Sequence, residues 1–214
     1  MAEIISFKER VKNEAVANAT LYKRYLIDYE YLVCSKAFSN GYKVIKADGN
    51  NYLHLIGVNT SLTADEFWNK CIQGTLVEDD FDFAKPGQDE KSVKGSVRQK
   101  MQVLSSIVNM FDGALMAEEN FHKNKVDCAF ATSDNSCTLG FAVSGRPKTL
   151  MKSNELSDKA MSVDLIFRKP RDYSAKYIDL HFGDKEKIDS YISEISNLIS
   201  EILHPNKEDD SDND

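Results

Sequence analysis

The chain contains no apolar run approaching the roughly 18 residues that a membrane-spanning helix needs. Its opening segment, MAEIISFKERVKNEAV, mixes charges into every turn and so lacks a signal-peptide core. The expectation is a cytoplasmic protein with no membrane partner. The cysteines are few (Cys34, Cys71, Cys128 and Cys137) and none falls in a CxxC pair. Without a secretory signal they read as free thiols in strands or helices. His54, His122, His181 and His204 do not add the spacing of a zinc site, so no metal and no other cofactor is expected. Glycine-rich phosphate loops, GxSxG elbows and HExxH helices are also missing, which removes the common nucleotide-binding, serine-hydrolase and metalloprotease motifs.

What is present suits one domain. The 214 residues are 42% hydrophobic and 10% aromatic, enough to fill a core, and no repeat or linker divides them. The formal net charge of -7 would argue against an anionic partner if it were spread evenly. It is not. The last seven residues, EDDSDND, carry five acids, and without them 29 acids face 27 bases, a charge of -2. The boundaries predicted are thus a domain over 1–205 and a disordered acidic tail over 206–214. Within the body, Glu78 to Glu90 holds six acids and one lysine, Lys91 to Lys100 four bases and no acid, and Arg146 to Lys176 eight bases against four acids. Two basic stretches can form one anion-binding face or remain ordinary solvated surface.

Periodicity predicts an α+β fold. Ile4, Phe7, Val11 and Ala15 recur at helical spacing, with Ser6 and Glu9 placed as a capping box. KRYLIDYEYLVCSKAF reads as a strand. KVIKA and YLHLIGV flank Asp48-Gly49-Asn50-Asn51 and read as a hairpin, giving three antiparallel strands in a row. Thr63 to Glu66 is a second capping box, opening a helix to about Gln73. Phe67 and Trp68 are read as packing that helix on the sheet. Val93, Val97, Met101, Leu104, Val108, Phe111 and Leu115 predict one long amphipathic helix. DCAFAT and CTLGFAV flank a tight Ser133–Ser136 turn. Residues 162–168 and 177–182 alternate as strands, and Ile188 to Leu203 presents one apolar helical face that Pro205 stops. The class is a curved antiparallel sheet of about six to seven strands with helices packed on one side.

Three segments, in order, carry a resemblance: YLIDYEYLV leading into NNYLHLIGV, the helix SVRQKMQVLSSIVNMF, and CTLGFAV closely followed by RPKTLMKS. Together, over roughly residues 20–182, the chain resembles the phage-associated branch of the barnase–EndoU–colicin–RelE-like nucleases. The most specific part is Tyr52-Leu53-His54-Leu55-Ile56-Gly57. The resemblance implies an RNase-toxin-like fold and metal-independent cleavage of RNA.

That chemistry needs a base for the attacking 2′-hydroxyl, cationic donors for the crowded phosphorane and an acid for the leaving oxygen. His54 is the first candidate for acid or base. In a strand it would share a face with Tyr52, Ile56 and Val58, and it is either a hydrogen-bonded structural histidine or a cleft residue. His122 and His181 have weaker contexts, and His204 reads as a residue of the last helical turn. Arg98 and Lys148 are candidates for stabilising the phosphate with Thr149 assisting; as alternatives they are soluble surface. Arg146, Arg168, Lys169 and Arg171 would grip RNA backbone, and Tyr52 would either stack on a base or pack in the core.

The function expected is therefore a metal-independent, toxin-type endoribonuclease domain with RNA as partner and a neutralising or target protein as a further one. The alternative is a non-catalytic phage or mobile-element protein of the same fold that binds a host or phage factor. The two differ in one geometric requirement: a nuclease needs His54, Arg98 and Lys148 to converge on one cleft.

Overall fold

Val11, Ala15, Ala19 and Tyr22 lie four or so residues apart and are all buried, which makes Phe7–Tyr22 an amphipathic helix, α1. The Ser6 side chain accepts from the Glu9 backbone N–H at 2.8 Å, one half of the expected box. The computed structural model describes residues 5–173 and 175–204. The predicted acidic tail, 206–214, lies outside the described residues. A widened helical turn, Lys23–Ile27, leads from α1 into the strand β1 (Tyr29–Ser35), which pairs antiparallel with β2 (Tyr42–Ile45).

The expected third strand is a helix. Asn51 Oδ1 accepts from the Asp48 backbone N–H at 2.9 Å, and Gly49–Asn51 begins a tight turn. That turn runs into α2 (Tyr52–Ile56), which ends at Gly57 in the left-handed conformation, φ 82°. Tyr52, Leu55 and Ile56 are buried together, a spacing of three and four residues; a five-residue apolar run fits either period, and burial selects the helical one. Tyr52 packs against Tyr22 and Trp68, with ring centroids 5.0 and 5.4 Å away.

Thr63 caps α3 (Ala64–Gln73) with the reciprocal Glu66 box that was expected. The long amphipathic stripe is divided. It forms α4 (Glu90–Val103) and then tighter three-residue turns over Leu104–Asp112, which bury Leu104, Ile107, Met110 and Phe111. After these come β3 (Met116–Glu119) and the small hairpin of β4 (His122–Lys123) and β5 (Val126–Asp127). The strands β6 (Phe130–Ser133), β7 (Cys137–Phe141), β8 (Pro147–Lys152), β9 (Met161–Pro170) and β10 (Asp179–Gly183) follow.

Seven strands pair antiparallel in the order β2-β1-β9-β3-β6-β7-β8 and curl into half a barrel, with β10 on β9 beside that path. The class is the α+β architecture expected. α1 to α4 cover one face, where Tyr31, Val33, Leu139 and Leu150 join the main core. The opposite face of β1 and β9, with Leu32, Cys34, Leu165 and Phe167, is covered by the C-terminal segment through Ile188, Tyr191, Ile195 and Ile199. That segment is not the single helix its apolar face predicts. It consists of tight turns over Lys185–Tyr191, the short α5 (Ile192–Ile195) and a last turn, Glu201–Leu203. Tyr177 donates to Leu198 O and accepts from the Ser200 N–H, and this strand-like bridge pulls the chain out of helix. The four cysteines are free and buried. Among the described residues no helix is long and apolar enough to cross a membrane.

Candidate active site

His54 faces outward because its neighbours do not. The Tyr52 hydroxyl donates to Ala15 O at 2.8 Å, and with Leu55 and Ile56 in the core the remaining side of α2 carries His54 to the surface. A helix end leaves carbonyls without intrahelical donors. Here one of them, His54 O, accepts a 2.7 Å hydrogen bond from Lys100 Nζ on α4. Gly57 permits the contact twice over: its φ suits glycine, and a Cβ built on it would lie 2.9 Å from Lys100 Nζ.

His54, Asn59, Thr60, Lys85, Lys100 and Lys148 line a cavity of about 300 Å³. The loop bearing Lys85 is tied to its wall by a paired bridge between Asn59 and Asp82, with Asn59 Nδ2 donating to Asp82 Oδ1 at 2.9 Å. Lys148, the second residue of β8, is exposed and donates to Asp127 O on the β4–β5 hairpin. Crowded cations in a partly desolvated place lose affinity for protons. Burial, then Lys85, push the Lys100 ammonium down to about 8. Burial lowers Lys85 as well. Burial first, and then Lys100, Lys85 and Lys148, hold His54 below its usual 6.5. The imidazole is neutral at pH 7 and shares its cavity with three lysines. That arrangement can take a proton from a nucleophile, hold a phosphate and return a proton to a leaving oxygen.

A second cavity of about 310 Å³ lies across Lys100, between α4 and the β4–β5 hairpin along β8, and Thr149 lines it. Thr149 is therefore next to the first cavity rather than in it. Arg98 is elsewhere and does not converge with His54 and Lys148 as expected. Its position, two residues before Lys100, turns it to another side of α4, over the Phe7 ring at 5.0 Å and in a groove with Arg10 and Met101. Tyr52 is fully buried, so its ring is core and offers no face to a base. The remaining basic candidates are engaged in ion pairs: Arg146 and Arg171 both with Asp48, Arg168 with Asp179, and Lys169 with Glu30. His122 pairs with Asp127, His181 Nε2 contacts Asp112 at 2.7 Å, and His204 follows the last turn. Among the described residues no three His, Cys, Asp or Glu side chains cluster as a metal-ion site.

Sequence reasoning missed Lys85 and Lys100. Lys100 had a signal: it stands three residues after Val97 and seven after Val93, on the apolar stripe of α4, where a lysine has to find a polar partner. Lys85 had none beyond its place before Pro86.

A family model described as phage-Barnase-EndoU-ColicinE5/D-RelE like nuclease 4 matches residues 16–194. No curated protein and no solved structure matches the chain.

Proposed function

This chain belongs to the phage-Barnase-EndoU-ColicinE5/D-RelE like nucleases, and we propose that it cleaves RNA without a metal ion, by acid–base phosphotransfer in the cavity of His54 and Lys100. The observation that carries this reading is the neutral imidazole of His54 set among three lysines, two of them with lowered proton affinity.

His54 accepts the proton of the 2′-hydroxyl, whose oxygen forms a bond to the adjacent phosphorus. Lys85 and Lys148 donate to the non-bridging oxygens as their charge grows. Lys100, with its ammonium near 8, gives a proton to the 5′-oxygen as the P–O5′ bond breaks. The products are a 2′,3′-cyclic phosphate and a 5′-hydroxyl. Lys85 takes the phosphate-stabilising place expected of Arg98, and Thr149 contacts the neighbouring nucleotide. The ion-paired Arg146, Arg168, Lys169 and Arg171 give at most a weaker, more distant grip on the backbone.

The test is incubation of the full chain with total RNA in EDTA, beside His54→Ala and Lys100→Ala, on a denaturing gel. Discrete fragments from the wild type alone support the reading. Intact RNA in every lane leaves the non-catalytic binding protein, and equal fragments in every lane remove His54 and Lys100 from the chemistry.

A further inference from the structure

The cavity beyond Lys100 is separate from the one holding His54, and Lys100 lines both. Its floor is β8, the last strand of the sheet's pairing order among the described residues. Its walls are α4 and the β4–β5 hairpin. The wall chemistry differs from that of the first cavity. Lys123 and Lys152 bring two more ammonium groups; Lys123 is held by Glu155 at 2.9 Å and Lys152 donates to Gln102 Oε1 at 2.8 Å. Gln99 and Asn124 bring two primary amides, each able to donate and accept. Asn124 sits at the hairpin tip with φ 55°, the left-handed turn conformation that asparagine tolerates.

Resting on the cleavage reading above, we infer that this second cavity is a subsite for the nucleotide adjoining the scissile phosphate, and that Gln99 and Asn124 select its base. Lysines at the rim bind phosphate without regard to sequence, while carboxamides bind base edges in pairs of opposite polarity. The size supports one unstacked nucleotide. Each cavity stands at the low end of the roughly 300–1,000 Å³ of small-ligand sites. Single-stranded RNA is also the form whose base edges are free to be read. The occupant is thus an RNA strand crossing from Lys148 past Lys100 to Lys123.

The experiment uses the full chain and fluorescent 2′-O-methyl homopolymers of each base, which bind but cannot be cut. Anisotropy is read from 50 to 300 mM salt and is paired with mapping of cut sites in a randomised RNA pool. Wild type should prefer one base. Lys152→Ala should weaken all four oligomers about tenfold and lower the salt slope by about 1, and Lys123→Ala, whose amine Glu155 already pairs, should do so by less. The pair Gln99→Ala and Asn124→Ala should keep the slope and reduce the base preference to less than about twofold, with the same loss in the cut-site map. Thermal melts check that each variant is folded. A base preference that survives the Gln99 and Asn124 pair overturns the inference. So does wild-type affinity in the lysine variants, or competition by polyglutamate equal to that by RNA, which would mark an acidic protein segment as the occupant. Normal cleavage with an unchanged cut-site map sinks the subsite and leaves the catalytic reading intact. Base-selective binding with no cleavage of any RNA does the reverse.

Discussion

The ammonium of Lys100 sits 2.7 Å from the backbone carbonyl oxygen of His54, forty-six residues earlier in the chain. One contact thereby joins the short helix that carries the imidazole to the long helix that carries the amine. It also fixes the amine at the junction of two cavities. The motif Tyr52-Leu53-His54-Leu55-Ile56-Gly57 acquires a physical meaning from it: Tyr52 anchors the turn, His54 is presented by it, and Gly57 leaves room for the lysine.

Gly57→Ala should disturb both fold and site. The new Cβ enters a left-handed backbone position and meets Lys100 Nζ, so a loss of roughly 1–2 kcal/mol is expected on thermal or urea unfolding. Cleavage should fall by more than the unfolded fraction explains, because Lys100 is displaced from His54. Full activity in a folded Gly57→Ala protein would mean that the contact does not matter.

The pH profile of kcat/KM should be bell-shaped. In the proposed mechanism His54 acts when neutral, so the acid limb lies below the ordinary histidine value of 6.5. Lys100 acts when charged, so activity falls again above about 8. Lys100→Arg keeps a charge at every accessible pH but cannot give up its proton there. It should lose the alkaline limb and drop the rate by roughly 10²-fold or more.

Lys100 is also an energetic burden on the fold. Its folded value near 8 lies below the 10.5 of a free lysine, so between the two the unfolded chain binds more protons and stability rises with pH. Below about 8 the cost of burying the charge is fully present. Lys100→Met should therefore be more stable at pH 7, by roughly 1 kcal/mol once solvent screening and the lost hydrogen bond are allowed for, and inactive. A calorimetric scan with a cleavage assay tests both halves.

Arg98 and Lys148 should separate cleanly. Lys148→Ala removes a cavity charge and should reduce kcat/KM by roughly 10- to 100-fold. The guanidinium of Arg98 rests on Phe7 in a different groove, so Arg98→Ala should stay within about twofold of wild type in the same assay.

Much of this architecture is readable in the chain because it is local. The Thr63–Glu66 box, the Ser133–Ser136 turn and the alternation of Val163, Leu165 and Phe167 each specify their element within a few residues. The misreadings arise where a distant partner decides. Tyr52 to Ile56 has a period that fits helix or strand until Ala15, Tyr22 and Trp68 bury one side of it. Ile188 to Leu203 keeps its apolar face but yields its helix to a bridge with Tyr177. The basic run 146–171 looks free on paper, yet Asp48 holds both Arg146 and Arg171 from about a hundred residues away. His54 and Lys148 were legible as candidates and share a cavity. The lysine that joins them was hidden in a helix whose exposed arginine drew the eye.

The central claim is tested most directly by the chemical ends of the product. A single RNA oligomer is incubated with the full chain in EDTA, alongside His54→Ala, and the fragments are weighed by mass spectrometry. The account predicts 2′,3′-cyclic phosphate and 5′-hydroxyl ends from the wild type, with the His54→Ala rate lower by roughly 10²- to 10⁴-fold. Fragments ending in a 3′-hydroxyl, or cleavage that EDTA abolishes, would contradict it.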